Sequence, residues 1–114
     1  MKLPQGEHAN ISRRKVVEYL LSETHRAGKS KAAFFRASGF RIEKWYELAD
    51  RLKQHSLDHE VAHSEETTFG IRYVIEGPLL APNGQFLQIR SIWFLDKNGQ
   101  VPRFVTAYPW KQRN

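Results

Sequence analysis

At 114 residues, with 40% hydrophobic and 26% charged residues, the chain is long enough for one core, and its composition is that of a globular protein rather than a disordered one. It has no cysteine, which excludes disulfides, thiolate zinc sites and cysteine nucleophiles; no run nears the roughly 18 apolar residues of a membrane span, and the start lacks a signal-peptide core, so a cytoplasmic protein is expected. Eighteen Lys and Arg against twelve Asp and Glu give a formal charge of +6, which favours an anionic partner: nucleic acid, an acidic protein or a membrane surface.

A single domain is predicted, with an N-terminal arm over 1–10, a helical part over 11–59, a sheet over 60–109 and a basic tail over 110–114. The arm is polar and turn-like. Ile11-Ser12 opens a first helix, with Ser12 as N-cap, and Val16, Val17, Tyr19, Leu20 and Leu21 give it a short apolar face. Residues 24–29 read as a loop. Ser30 is placed to cap a second helix over 31–38, stopped by Gly39 and anchored in the core by Phe34 and Phe35. A third helix over 42–59 carries Trp45, Leu48, Ala49 and Leu52 at three- and four-residue steps. That stripe weakens at Ser56 and Leu57. Lys44, Glu47, Asp50, Lys53 and Asp58 form its solvated side.

Strands are predicted over 60–66, 69–80, 85–95 and 101–108. Three helices followed by an antiparallel meander make an α+β domain with the helices on one sheet face. Ala81-Pro82-Asn83-Gly84 and Asp96-Lys97-Asn98-Gly99 both suit a type I turn ending in a left-handed Gly. Ala81 then pairs with Gln85, and Asp96 with Gln100. Counting back, Glu76 lies opposite Arg90, and Arg90 opposite Thr106, while Pro78 and Tyr108 flank Gln88. Tyr73, Ile75, Leu79, Leu87, Ile89, Trp93, Leu95, Val101 and Val105 fall on the helix-facing side. Glu76, Arg90, Thr106 and Tyr108 fall on the other, with Arg72, Val74, Gln88, Ile92, Phe94 and Phe104. A slip of one residue would reverse the assignment, and Gly77-Pro78 is a place where one could arise.

The polar row reads either as a cross-strand ion pair beside ordinary strand residues or as a phosphate site. In the second reading Arg90 binds a phosphate bidentately and Glu76 acts as a base or an orienting partner. Thr106 and Tyr108 donate to phosphate oxygens. Cleavage of RNA without a metal needs a base, an acid and cations around the phosphorane. His55, His59 and His63 are spaced by four, as metal ligands can be, but no fixed metal motif surrounds them, and neither metal nor cofactor is expected.

Tyr19-Leu20-Leu21, the loop from His25 to Gly28 leading into Lys31-Ala32-Ala33-Phe34-Phe35, Ser38-Gly39-Phe40, the stretch from Tyr73 to Gly77, Arg90-Ser91-Ile92-Trp93-Phe94 and Val105-Thr106-Ala107-Tyr108-Pro109 together resemble a small bacterial domain family of uncharacterised function. That family is seen free-standing and at the ends of polymorphic toxins. Its order of elements is similar to the ribonuclease fold of barnase, EndoU, colicin and RelE-type toxins. The resemblance implies a sheet-face site whose counterparts are His25, Lys31, Arg90, Thr106 and Tyr108. Family members often carry Pro after the loop His, where this chain has Arg26. His25 suits general acid–base work, and Lys31, near a helix start, suits a phosphate.

Two readings of function follow. The first is a metal-independent ribonuclease-like toxin of a toxin–antitoxin or toxin–immunity pair, with RNA and a cognate antitoxin or immunity protein as partners and no membrane. The second is a non-catalytic binding module or antitoxin-like partner in a two-gene operon. Arg103, Lys111 and Arg113 make the C-terminus basic, which suits either. A homodimer through the last strand is a third reading, if that strand is an open edge.

Overall fold

The computed structural model describes residues 1–22 and 29–111, and of Lys29 and Ser30 the backbone. Ser12 caps the first helix as its sequence implies, its hydroxyl accepting the Lys15 amide at 3.2 Å. Helix α1 (Arg13–Lys15) then widens into a π turn over Val16–Leu20, closed by the Leu21 amide on the Val16 carbonyl at 2.8 Å. The widened turn lets Val16, Leu20 and Leu21 all be buried while Tyr19 stays half-buried.

Helix α2 (Lys29–Ala37) begins earlier than the sequence suggested, so Ser30 lies inside its first turn and is not the N-cap. Neither Lys29 nor Ser30 breaks a helix, and the turn extends back through both. Its other end follows expectation. Gly39 takes φ +106, and the Phe40 and Gly39 amides close on the Phe35 and Arg36 carbonyls at 3.3 and 3.0 Å. The Asn83 amide donates to the Ser38 carbonyl at 3.1 Å, which ties this helix end to a sheet turn.

Helix α3 (Trp45–Asp58) follows a 3-10 turn over Ile42–Lys44. Leu48 and Leu52 continue its buried stripe into His55 and Ser56, which are also buried. The stripe does not fade there but turns polar. Ser56 donates to the Lys53 carbonyl at 2.6 Å.

Four strands, β1 (Val61–Thr67), β2 (Gly70–Leu80), β3 (Phe86–Asp96) and β4 (Arg103–Pro109), form one antiparallel sheet in the order β1-β2-β3-β4. This is the α+β meander the sequence implied. Ile75, Ile89, Trp93, Phe104 and Ala107 join Leu20, Phe35, Leu48 and Leu52 in the core on the helix side. The first ten residues run against this body. Leu3 and Ala9 are buried, and Asn10 bridges β4 by accepting the Phe104 amide at 2.8 Å. The outer edge of β4 is therefore covered at its start.

The β2–β3 hairpin keeps the counted register throughout, from Gly70 opposite Asp96 to Leu80 opposite Phe86, with no slip at Gly77-Pro78. Its turn is the expected one: Ala81 donates to the Gln85 carbonyl at 2.8 Å, and Gly84 has φ +87.

The β3–β4 connection departs from the count twice. Gly99 closes a turn on the Asp96 carbonyl at 2.8 Å without a left-handed φ, so Gln100 does not pair with Asp96. The strand resumes beyond Pro102, which has no N–H to offer the ladder, and Phe94 then faces Arg103. A bulge follows, since Ile92 faces Thr106 while Trp93 faces Phe104, leaving Val105 as the extra residue. Arg90 is therefore opposite Tyr108 and not Thr106. Between the two slips the facing is reversed. Phe104 moves to the core side, edge-on to Trp93 at 5.3 Å between ring centroids, while Val101 is exposed and Val105 only half-buried. Past Val105 the two slips cancel, and Thr106 and Tyr108 return to the face of Arg90.

Candidate functional site

The site lies on the sheet face carrying Glu76, Arg90 and Tyr108, three residues that follow one another across β2, β3 and β4. Arg90 sends Nε to Glu76 Oε2 at 2.7 Å, and its Nη2 reaches the same oxygen. Its Nη1 approaches the Tyr108 hydroxyl at 3.5 Å, the long limit of a hydrogen bond. Ring faces complete the setting, with the guanidinium carbon 5.8 Å from the ring centres of both Tyr108 and Trp110.

A second cation meets this cluster from the helices. Lys31 on α2 donates from Nζ to the Tyr19 hydroxyl at 2.8 Å and to Thr106 Oγ1 at 3.3 Å. The ammonium lies 5.0 Å from the Tyr19 ring centre and 5.6 Å from that of Tyr108. Tyr108 thus has Lys31 and Arg90 both at cation–π distance. The two cations differ in their neutralisation. Arg90 is matched by Glu76, whereas among the described residues no carboxylate stands within ion-pair distance of Lys31.

The electrostatics follow this arrangement. The hydrogen bond from Lys31 holds the Tyr19 phenol below its ordinary value, helped by the ammonium charge and by Thr106, with partial burial opposing. Arg90 is held above its ordinary value by the Tyr108 hydroxyl and by Glu76, so its guanidinium is a permanent charge.

The structure therefore brings Lys31, Glu76, Arg90, Thr106 and Tyr108 together, while His25 lies outside the described residues. Two members escaped the sequence reading. Tyr19 was assigned to an apolar helix face, and only its hydroxyl hinted otherwise. Trp110 was placed in a basic tail, yet its amide donates to the Gln88 carbonyl at 2.9 Å and fixes it beside β3. Among the C-terminal cations, Arg103 on β4 pairs with Asp96 at 3.0 Å and lies over Phe94, Lys111 is exposed, and Arg113 is outside the described residues.

Of the histidines at four-residue spacing, His55 and His59 pack together. His55 is 2% exposed and its ring meets that of His59 at 4.8 Å. Their Nε2 atoms donate to the Gly77 and Pro78 carbonyls at 3.1 and 2.9 Å. His63 is exposed on β1.

Comparison with known proteins adds two findings. The family model described as "Domain of unknown function (DUF6883)" matches residues 2–111. Among solved structures, a chain of the contact-dependent growth inhibition toxin–immunity protein complex from Klebsiella pneumoniae 342 is similar, with a TM-score of 0.68 at 18% identity over 88% of this chain and 98% of that one. At such identity the likeness is one of fold. No curated protein matches in sequence. No helix among the described residues is long and apolar enough to cross a membrane.

Proposed function

The chain belongs to the DUF6883 family, whose description assigns no activity, and we propose that it is the toxin of a bacterial toxin–immunity pair that cleaves RNA without a metal at the Arg90 face. The observation that carries this reading is the ammonium of Lys31, which meets no carboxylate among the described residues and is held between two hydroxyls beside a guanidinium already matched by Glu76. One further negative charge would complete the cluster, and a phosphodiester supplies one. The fold shared with a chain of a toxin–immunity complex supports a toxin–immunity context.

The chemistry is a transfer within the RNA strand. Glu76, paired with Arg90, takes the proton of a ribose 2′-hydroxyl, and the freed oxygen attacks the adjacent phosphorus. The bond from phosphorus to the 5′-oxygen breaks as the new one forms, leaving a 2′,3′-cyclic phosphate. Tyr19, its phenol acidified by Lys31, returns a proton to the departing 5′-oxygen. Lys31 and Arg90 offset the charge that builds on the phosphorane, in place before the reaction begins. Thr106 and Tyr108 position the two cations.

The test is induction of wild type and Arg90→Ala in a bacterial host without any partner protein, followed by electrophoresis of total RNA. Discrete fragments ending in cyclic phosphate from wild type alone are expected. Intact RNA from wild type, or equal cleavage by a folded Arg90→Ala variant, overturns the proposal.

A further inference from the structure

Beside the charged cluster, at the end of the β3–β4 pair, lies a cleft of about 620 Å³ whose lining includes Phe34, Phe86, Gln88, Trp110 and Lys111. We infer that this cleft holds a nucleobase of the RNA strand, next to the phosphate engaged by Lys31 and Arg90. The inference rests on the phosphate reading of the Arg90 face and names what lies beside it.

Three observations carry it. Phe86 opens β3 with 68% of its surface exposed and lines the cleft, so its ring is accessible to a ligand there. Trp110 belongs to both places: it lines the cleft, and its ring centre is 5.8 Å from the Arg90 guanidinium carbon. A base lying against Phe86 and Trp110 would thus be continuous with a phosphate at Arg90. Gln88 is exposed on the same sheet face as Arg90, two residues along β3 and so roughly 7 Å away along the strand.

The chemistry of the lining selects the occupant. Aromatic faces accept any base by stacking. The Gln88 amide offers both a donor and an acceptor to a base edge. The Lys111 ammonium at the rim favours an anionic strand over an aliphatic protein side chain, which would bury itself against the rings and leave the amide and the charge unanswered. The volume is within the range of about 300–1,000 Å³ typical of small-molecule sites.

The test is calorimetric titration of the purified protein with each nucleoside 3′-monophosphate and, separately, with inorganic phosphate. At least one nucleotide is expected to bind more tightly than phosphate, and Phe86→Ala to weaken that nucleotide about tenfold, the loss of one base–aromatic stack. Phe86 is mostly exposed, so this variant keeps its fold, which circular dichroism would check. Equal binding of nucleotide and phosphate overturns the base site, as does a nucleotide preference that survives Phe86→Ala. An RNA-cleavage assay on the same samples separates the two proposals. Cleavage by wild type without nucleotide preference rejects the base site alone. Phe86-dependent nucleotide binding without cleavage rejects the ribonuclease reading and leaves the base site standing.

Discussion

Acidification is expected to destabilise this fold through His55. The ring is sealed between α3 and the sheet with both nitrogens occupied. Nε2 donates to the Gly77 carbonyl at 3.1 Å, and Nδ1 accepts from Ser91 Oγ at 3.0 Å. Ser91 in turn accepts the Trp93 indole N–H at 2.9 Å. This chain of bonds is complete for a neutral imidazole, and a second ring proton would displace the Ser91 hydroxyl proton from Nδ1. Burial pushes the group from 6.5 down to about 4, with the neighbouring His59 acting in the same direction and the Gly77 bond and Asp58 opposing. A histidine whose folded value is depressed is protonated first in the unfolded chain. Its contribution is thus complete above pH 6.5, declines as pH falls, and is gone below about pH 4. The gap amounts to roughly 3 kcal/mol in total, of which about 2 kcal/mol is lost by about pH 5. Urea unfolding of wild type and His55→Gln, at about pH 7.5 and about pH 5, isolates this contribution because the other titrating groups are common to both. The variant is expected to be the less stable at the higher pH, yet to lose less on acidification. The difference between the two losses is about 2 kcal/mol, or about 1 M in urea midpoint. Equal losses in the two proteins would refute the reasoning.

The remaining predictions concern the charged cluster and the turns. Lys31→Met is expected to lower the RNA-cleavage rate by at least about a hundredfold with an unchanged circular dichroism spectrum, as expected when one pre-placed charge is removed. Tyr19→Phe keeps the ring beside Lys31 but removes the proton, so single-turnover cleavage slows while RNA affinity, read by filter binding of a 2′-deoxy substrate, is unchanged. Gly70→Ala is expected to destabilise the protein by more than about 2 kcal/mol, because its Cβ would lie 2.2 Å from the Leu95 carbonyl oxygen. Gly84→Ala meets nothing within 4 Å and has only its φ of +87 to resist it, so a loss of about 1 kcal/mol is expected; thermal melts of the two variants measure the contrast.

Where local chemistry governs, the sequence was legible. The Ser12 cap, the Gly39 stop and the Pro82–Gly84 turn are each decided within four or five residues, and all three form as read. The β2–β3 register followed from that turn alone. The β3–β4 register did not, because two features of tertiary origin intervene: Lys97 gives its amide to the Phe69 carbonyl at 2.9 Å, across the neighbouring hairpin, and Phe104 is drawn into the core against Trp93. Neither contact is visible in the spacing of residues around Asn98-Gly99. The early start of α2 is similar, since no local signal separates Lys29 from Ser30 as its first residue. For the candidate site, Glu76, Arg90, Thr106 and Tyr108 could be picked out by residue type and facing, and Lys31 through the family resemblance. Tyr19 and Trp110 could not, because their neighbours in the cluster are remote in sequence.

The bulge at Val105 has a consequence for how this chain can vary. A strand is read in alternation, and a lengthened turn is to that reading what a single-base insertion is to a gene: everything downstream is out of frame. Val105 acts as the second-site insertion that restores the frame, and the garbled interval between the two is short, ending with Phe104. Deleting Val105 by itself would send Thr106 and Tyr108 toward the helices and Ala107 to the open face, although every residue of the site would still be present. Removing one residue of the turn as well would suppress that defect. Relatives of this chain that differ in length here are therefore expected to differ by compensating pairs, or by two residues at once.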